Sequence, residues 1–434
     1  DTILTDLEKN HPMSRLLEGD VGSGKTAVAA VGAYSVVKNG LQVAYMVPTE
    51  ILATQHFESF IKYFNPLGAF PVNIGLITGK GCRKFPSKVN PDGWTDISRS
   101  QLLKWVASGD IPVLIGTHAL IQKTVKFKNL ALAIIDEQHR FGTEQRKKLI
   151  KKDGLAPHLL SMTATPIPRT LALTIYGDLD LSLLDEMPAG RKQIITEIVT
   201  DEKRDDTYQA IRHNLKEGRQ LYVICPRIEE PDPEKEMALL AKSAVAEAKR
   251  LKKEIFPEYE IGVLHSKMNK NKKEETMKKF KNKELDILCA TSVIEVGVNV
   301  PNSTMIIIEG GERFGLAQLH QLRGRVIRSN HQAYCYVFAE SKSTKTIERL
   351  KALKTAKNGF ELAELDLSLR GAGELGGTKQ SGLSDLGMEA IKNIKMVEAA
   401  RTEAIRLIEE DMELSKYPQL KERAREKTEE FHFE

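Results

Sequence analysis

The chain of 434 residues is too long for a single hydrophobic core, and we expect about two or three domains. Hydrophobic residues make up 41% and charged residues 28%, as in soluble globular proteins. The sequence contains no run of about eighteen apolar residues, so we predict no membrane span. The net charge of +5, from 64 basic and 59 acidic residues, neither requires nor excludes nucleic acid, because a local basic stripe is enough for phosphate contacts.

The N-terminal stretch "DTILTDLEKNHPM" lacks the basic, apolar and small-residue succession of a signal peptide. It has no initial Met and stands close to the first motif, so we expect a fragment or a processed chain. The cysteines form no C-x-x-C pair, which argues against a zinc or disulfide framework and favours a reducing cytoplasm. They are Cys82, Cys225, Cys289 and Cys335.

The stretch "RLLEGDVGSGKTAVAA" predicts a phosphate-binding loop between a strand and a helix. In this pattern the glycines let backbone N–H groups approach the phosphates, Lys25 reaches the β and γ oxygens, and the Thr26 hydroxyl binds Mg²⁺. The predicted nucleotide-binding residues are Gly19, Gly22, Ser23, Gly24, Lys25 and Thr26. The loop indicates ATP or GTP binding and leaves the reaction open.

Two series of apolar segments predict an α/β fold with two parallel sheets. The first comprises "LQVAYMVPT", "IPVLIGTH", "LALAIIDE" and "HLLSMTAT". The second comprises "RQLYVICP", "EIGVLHS", "LDILCATS", "TMIIIEG" and "AYCYVFA". Between them, "DEMPAGRKQ" predicts a linker, and "GCRKFPSKVNPDGWTDISRS" predicts a surface excursion within the first series, because turn-forming residues dominate both.

The segment "AIIDEQHRFG" places Asp136 and Glu137 directly after an apolar strand. One carboxylate can hold Mg²⁺ while the other orients or deprotonates an attacking water. His139 follows two positions later, where a structural role and a coupling role are both open.

The basic segment "SKMNKNKKEETMKKFKNKE" predicts an amphipathic helix with one buried face, and DNA contact by its first residues is an alternative. From about Thr344 the pattern is helical and charged, ending in a tail that we expect to be partly frayed. Within it, "DLSLRGAGELGGTKQSG" is too rich in glycine for a regular helix. Composition alone also allows a flexible linker there.

Taken in order, "GDVGSGKT", "DEQH", "SMTAT" and "QLRGRVIR" resemble the motifs of superfamily 2 helicases. The chain is most similar to the bacterial RecG family of branch-migration helicases, through "PTEILATQH", "GTHALIQ", "DEQHRFGTEQR", "SVIEVGVNVPN" and "LRGAGELGGTKQSG". The similarity extends from about Met13 to Gly387.

This resemblance implies two tandem RecA-like domains with parallel sheets, at residues 1–188 and 189–345, and a mostly helical C-terminal region at 346–434 with a translocation motif at 366–382. It implies ATP hydrolysis coupled to translocation on double-stranded DNA, with ATP and Mg²⁺ as cofactors. It further implies the remodelling of branched DNA at stalled forks and Holliday junctions in recombination and repair. Expected partners are double-stranded and branched DNA and a single-stranded DNA-binding protein, and we expect a cytoplasmic monomer.

The catalytic residues that the resemblance implies are Lys25, Asp136, Glu137, Arg325 and Arg328, with Thr26 and Asp136 holding the metal. In this interpretation the two arginines reach the phosphates from the second domain, so that the γ-phosphate ties the domains together. The residues implied in DNA binding or coupling are Thr49, Thr117, His118, His139, Thr163, Thr165, His265, Lys267, Thr291, Gln321, Arg370 and Gln380.

The chain departs from the family pattern at Ile327, where relatives have Gly, and a branched residue there cannot easily adopt a positive φ. The adenine-recognising segment and the N-terminal wedge domain of the family are also not found in this sequence. Two alternatives therefore stay open: a motor like the transcription-repair coupling factor Mfd, and a nucleotide- and DNA-binding fragment with little turnover. The second sheet and the paired arginines disfavour a P-loop kinase.

Overall fold

A computed structural model describes residues 1–64, 72–137, 156–164, 179–185, 192–226, 243–265, 267–291, 300–326, 331–339, 343–356, 358–370 and 394–431. These residues fall into two compact units: one contains residues 1–166 and 180–369, and the other contains residues 167–179 and 370–434. Both sheets belong to the first unit, and the division into three domains stays a prediction. Among the described residues, no helix is long and apolar enough to cross a bilayer.

The first sheet has nine strands in the order β5-β4-β3-β6-β2-β7-β8-β1-β9. The strands are β1 (Ser14–Gly19), β2 (Gln42–Met46), β3 (Ile74–Thr78), β4 (Gly81–Phe85), β5 (Thr95–Ile97), β6 (Val113–Gly116), β7 (Leu130–Asp136), β8 (His158–Thr163) and β9 (Asp180–Leu184). All neighbours pair in parallel except β3 with β4 and β4 with β5. The four strands predicted from the first series, which are β2, β6, β7 and β8, are confirmed.

The second sheet has six parallel strands in the order β10-β15-β14-β11-β13-β12. They are β10 (Ile195–Val199), β11 (Gln220–Ile224), β12 (Ile261–Leu264), β13 (Ile287–Ala290), β14 (Ser303–Ile308) and β15 (Tyr334–Phe338). All five predicted strands of the second series are confirmed, with the parallel pairing expected for an α/β fold.

Helices cover the sheets because parallel strands need crossover connections and apolar cover on both faces. In the first unit they are Thr2–Leu7, Lys25–Lys38, Glu50–Phe64, Arg99–Ser108, Arg204–Lys216, Lys270–Lys281, Leu316–Arg323, Thr344–Thr355 and Gly359–Arg370. Short 3₁₀ turns span His118–Ile121, Asp201–Lys203, Gly311–Arg313 and Gly324–Val326, and a π turn spans Leu251–Ile255. The predicted basic helix is confirmed, with Phe280 fully buried and Met277 packed against the second core.

The second unit contains the helices Ile394–Glu410 and Pro418–Phe431. Arg401 donates a hydrogen bond to the carbonyl of Leu179, which belongs to the same unit. The tail that we expected to be partly frayed is helical through Phe431. The linker prediction at Asp185–Gln193 falls mostly outside the described residues, as does the glycine-rich part of the predicted translocation motif.

The prediction of a surface excursion at Gly81–Ser100 is wrong for β4 and β5, which form a hairpin that extends the first sheet beyond β3. Cys82 and Phe85 of β4 are buried, so pairing and packing outweigh the turn-forming residues that follow. Arg83 lies opposite Asp96 and pairs with it at 3.2 Å, and its guanidinium lies 5.6 Å from the Trp94 ring centroid.

A buried glutamine anchors the amino end of a central strand in each sheet. The Gln42 amide, at the start of β2, donates to the carbonyls of Val106 and Ile111 at 2.9 and 3.0 Å. Gln220, at the start of β11, donates to the carbonyls of Phe280 and Leu285 at 2.6 and 2.7 Å. Each side chain thus joins two carbonyls of neighbouring segments, which fixes the loops at the end of the sheet opposite the motif residues.

Candidate nucleotide site

The predicted phosphate-binding loop connects β1 to the helix Lys25–Lys38 at the carboxyl end of the sheet. Gly22 and Gly24 have φ of 84° and 101°, a left-handed backbone that glycine adopts without strain. Gly19 is tightly enclosed, because a Cβ there would lie 2.5 Å from Ser23 Oγ. The glycines therefore permit a narrow loop at a helix N-terminus, which is a favourable site for an anion.

Lys25 bends back over this loop. Its Nζ donates to the carbonyls of Gly19 and Asp20 at 2.5 and 2.8 Å. Burial lowers the pKa of Lys25, although the nearby carboxylates of Asp136 and Glu137 act in the opposite direction. The side chain is therefore held by weak neutral acceptors that phosphate oxygens can replace.

The two predicted carboxylates lie at the end of β7. Asp136 is buried and accepts the backbone N–H of Glu137 at 3.0 Å, while Glu137 has a φ of 54°. A left-handed conformation at a non-glycine residue costs on the order of 1–2 kcal/mol, so the surrounding fold imposes it. The turn places the Glu137 carboxylate close enough to act on the pKa of Lys25.

Two residues that the sequence did not single out connect the predicted metal ligands. His56 Nε2 donates to Asp136 Oδ2 at 3.0 Å, and His56 Nδ1 lies 3.2 Å from the Tyr45 hydroxyl. Thr26 acts on the pKa of Tyr45, so its side chain lies near the Tyr45 hydroxyl. Tyr45 and His56 therefore lie between the two predicted metal ligands, where they can restrict the orientation of both.

The protonation states of Asp136 and Tyr45 follow from their burial and their neighbours. Burial alone would raise the pKa of Asp136, but the hydrogen bond and charge interaction with His56, together with Lys25, lower it below its ordinary value. Burial and the neighbouring carboxylates raise the pKa of Tyr45 well above its usual range. Asp136 is thus ionised and Tyr45 neutral at physiological pH, as an oxygen ligand for Mg²⁺ and a fixed hydrogen-bond partner require.

A nucleotide with its Mg²⁺ fits the residues that are present. The buried Ser23 hydroxyl has no hydrogen-bond partner within the described part of the chain, and it lies close to Gly19 inside the loop. Lys25, Thr26 and Asp136 would hold phosphate oxygens and the metal. Mg²⁺ commonly binds through one or two protein ligands together with substrate phosphates and water.

The second sheet contributes to this site through the turn Gly324–Val326. Gly324 packs against the phosphate-binding loop so closely that a Cβ there would lie 2.8 Å from Val21 Cβ. Arg325, the next residue, is buried at 7% exposure. Arg325 thus directly follows, in the chain, the residue that packs against the loop. Arg328 and Ile327 lie outside the described residues.

The remaining predicted residues occupy defined places at the carboxyl edges. Thr163 ends β8, whose Met162 lies opposite Asp136 in the register. Thr49 follows β2 and caps the helix Glu50–Phe64, since its hydroxyl accepts the Leu52 N–H at 3.3 Å. Thr117 and His118 follow β6, and His118 is exposed.

On the second sheet, His265 and Lys267 follow β12, Thr291 follows β13, and Gln321 is half-buried on the helix Leu316–Arg323. His139, Thr165 and Gln380 lie outside the described residues. Arg370 ends a described helix, but its side chain is not among the described atoms.

Sheet order divides the first carboxyl edge in two. The phosphate loop, Asp136 and Thr163 follow the adjacent strands β1, β7 and β8, while Thr49 and Thr117 follow β2 and β6. Next to β6, Lys80 follows β3 and pairs with Glu274 of the second domain. A cleft of about 530 Å³ opens here, lined by both domains and by charges of both signs, and it contains none of the loop residues.

Known proteins match this arrangement in three consecutive parts. Residues 3–174 match the DEAD/DEAH box helicase family, residues 202–330 match the helicase conserved C-terminal domain, and residues 356–426 match the C-terminal part of RecG domain 3. Two parallel sheets that meet at a phosphate-binding loop, with these matches, define the pair of RecA-like domains found in helicase families.

Comparison with curated relatives points to one group of helicases. The chain is 46% identical over 420 residues to an ATP-dependent DNA helicase RecG of Synechocystis sp., covering 96% of this chain and 48% of the relative. It is 45% identical over 412 residues to the Bacillus subtilis RecG, covering 94% of this chain and 57% of the relative. The chain is thus similar to RecG helicases over nearly its whole length. It spans about half the length of the curated relatives it matches.

Solved structures agree with this assignment. A structure of RecG bound to a three-way DNA junction matches with a TM-score of 0.71 and 38% identity, over 91% of this chain and 49% of that chain. The helicase MrfA bound to DNA matches with a TM-score of 0.59 and 16% identity, over 82% of this chain and 51% of that chain, which shows the shared fold.

Proposed function

We propose that this chain is the ATP-driven motor of a RecG-type enzyme, which moves along double-stranded DNA and remodels branched DNA. The observation that carries the proposal is the packing of Gly324 onto Val21, because it places a loop of the second domain against the phosphate-binding loop of the first. A nucleotide held between two domains can close them when it binds and release them when it is hydrolysed.

In this mechanism the protein supplies position and charge. Lys25 and the glycine cradle bind the phosphates, Thr26 and Asp136 hold the metal, and Glu137 orients or deprotonates the attacking water. Arg325, with Arg328, stabilises the negative charge that develops on the transferring phosphoryl group. Bound at Thr26 and Asp136, Mg²⁺ would supply positive charge that offsets the charge of the phosphates.

We assign DNA contact to the other half of the carboxyl edges. Thr49, Thr117 and His118 extend away from the nucleotide site on the first sheet, and His265 and Thr291 follow adjacent strands of the second. His265 Nδ1 and Thr291 Oγ1 have no hydrogen-bond partner among the described residues, which supports a role as phosphate contacts. Such contacts position the duplex without reading its sequence and weaken as salt rises.

Branched DNA as the substrate rests on the family. A RecG relative is described as bound to a three-way DNA junction, and the final family match covers the region that contains the predicted translocation motif at 366–382. We propose that Arg370 and Gln380 of that motif convert domain closure into movement of the duplex. We also propose domains at 1–188, 189–345 and 346–434, and a cytoplasmic monomer that acts with a single-stranded DNA-binding protein.

The proposal is tested by the steady-state ATPase rate without DNA, with linear duplex and with a three-way junction. We expect stimulation by duplex DNA that falls as salt rises, and displacement of a triplex-forming strand from the duplex ahead of the protein. Lys25→Ala is the control and should lack both activities. If no DNA changes the ATPase rate of either the parent chain or the Ile327→Gly variant, the chain is not a DNA motor.

A further inference from the structure

Asp20 belongs to the phosphate-binding loop, but its side chain contacts a helix near the C-terminal end of the first unit. Both of its carboxylate oxygens accept the backbone N–H of Gly359, at 3.2 and 3.0 Å, although the two residues are 339 positions apart. Gly359 is the first residue of the helix Gly359–Arg370. Asp20 therefore satisfies one of the backbone donors that a helix N-terminus leaves open.

A second donor fixes the same carboxylate. His320 Nε2 lies 2.8 Å from Asp20 Oδ1, and Arg323 Nη2 donates to His320 Nδ1 at 2.9 Å. Because an arginine can only donate, His320 Nδ1 carries no proton, and the ring proton on Nε2 points to Asp20. Arg323 also donates to the carbonyl of Leu353 at 2.7 Å, near the end of the preceding helix.

The network is buried and charged. Asp20, His320 and Arg323 are exposed by 6%, 4% and 8%. Burial would raise the pKa of Asp20, but the hydrogen bond from His320, the Gly359 N–H and the charge of Arg323 lower it below its ordinary value. Asp20 is ionised, and a buried carboxylate that loses its donors is strongly destabilised, so these contacts tie the start of the helix to the loop.

The backbone of the same residue belongs to the nucleotide site. The carbonyl of Asp20 accepts Lys25 Nζ at 2.8 Å. When Lys25 turns to phosphate oxygens, this carbonyl loses its donor, and the backbone of Asp20 is free to readjust. Asp20 therefore contacts the phosphate site through its backbone carbonyl and the helix Gly359–Arg370 through its side chain.

We propose that Asp20 is a positioning residue that transmits the nucleotide state of the phosphate-binding loop to the helix Gly359–Arg370. The last residues of this helix, 366–370, are the first residues of the predicted translocation motif at 366–382. The inference rests on the proposed function only where it concerns DNA movement. The transmission itself requires nucleotide alone.

Gly359 offers a matched pair of variants. Proline is well accommodated at the first position of a helix, where it removes the N–H without disturbing later turns. Gly359→Pro therefore deletes the donor to Asp20, while Gly359→Ala adds the same Cβ and keeps the donor. Asp20→Asn, which retains the size of the side chain and removes its charge, provides an independent variant.

The first measurement is amide hydrogen exchange over residues 360–369, with and without a non-hydrolysable ATP analogue and Mg²⁺. In the parent chain and in Gly359→Ala we expect nucleotide to change the exchange rate about tenfold, as for typical coupling between two sites. In Gly359→Pro the difference should shrink to less than about twofold, and Asp20→Asn should fall between the two. An equal nucleotide effect in the Ala and Pro variants, or none in the parent, would overturn the inference.

The second measurement is triplex displacement per ATP hydrolysed, in the same variants. If the parent chain translocates and Gly359→Pro displaces as much triplex per ATP as the parent does, the inference is also contradicted. If the parent hydrolyses ATP but never displaces the strand, the proposed function fails, and the exchange result alone then decides the role of Asp20. If Gly359→Pro does not fold, Asp20→Asn against the parent gives the same decision.

Discussion

The hydrogen bond between His56 and Asp136 can be tested by two substitutions that both introduce an amide but differ in length. A glutamine amide reaches about as far as the Nε2 of histidine, whereas an asparagine amide ends near the position of Nδ1. His56→Gln therefore keeps a donor at Asp136, at the site of the 3.0 Å contact, and His56→Asn keeps contact only on the Tyr45 side.

The size of the effect follows from the charge of the acceptor. A hydrogen bond to an ionised group contributes about 1.5–3 kcal/mol, and the loss of a group that orients a metal ligand typically costs about 10- to 100-fold in metal affinity or activity. We expect His56→Asn to raise the Mg²⁺ concentration for half-maximal ATPase by about 30-fold, and His56→Gln by less than about threefold.

The assay is a Mg²⁺ titration of ATP hydrolysis at saturating ATP, beside thermal unfolding of each variant. Binding of a fluorescent nucleotide in the presence of a chelator should be similar in both variants, since Lys25 and the glycine cradle are unchanged. Equal Mg²⁺ curves for the parent and His56→Asn would refute the orienting role. Equal shifts in both variants would trace the effect to lost packing instead.

Three further predictions concern turnover, domain contact and stability. Glu137→Gln should retain bound ATP in a filter assay while phosphate release falls by about 10²- to 10⁴-fold, and rapid release would contradict its role as the group that activates water. Gly324→Ala should overpack against Val21 by about 1–3 kcal/mol, so DNA-stimulated kcat should fall at least about fivefold; unchanged kinetics would mean that the contact is not used in turnover. Gln220→Leu removes two buried hydrogen bonds, to the carbonyls of Phe280 and Leu285, and should lower the free energy of unfolding in urea by about 2–4 kcal/mol, whereas the exposed-site control Gln209→Leu should stay within about 0.5 kcal/mol.

Local patterns made the strands and the phosphate-binding loop predictable. Buried parallel strands appear in the sequence as short apolar runs, and the loop has a fixed spacing because backbone geometry requires glycine where Gly22 and Gly24 have positive φ. Asp136 was also predictable, since polar residues that end a parallel strand gather at the carboxyl edge of the sheet.

Long-range partners were not predictable in the same way. The contacts of Asp20 with His320 and Gly359 cross 300 and 339 residues, and each of these residues is ordinary in its local setting. His56 stands among apolar helix residues, where one sequence cannot separate a structural histidine from one that orients a ligand. The hairpin β4–β5 was missed because its turn residues dominate a short window, while its pairing with β3 is decided by the sheet.

That hairpin also bears on the behaviour of the protein at high concentration. Without it, β3 would form the edge of the sheet, and β3 is a fully buried strand with the sequence Ile-Gly-Leu-Ile-Thr. A long apolar edge with open backbone groups invites pairing with a strand of another molecule. The edge is instead the three-residue strand β5, with an acidic side chain at its centre, which is too short and too polar to recruit a further strand. The hairpin therefore protects this edge of the first sheet against edge-to-edge aggregation.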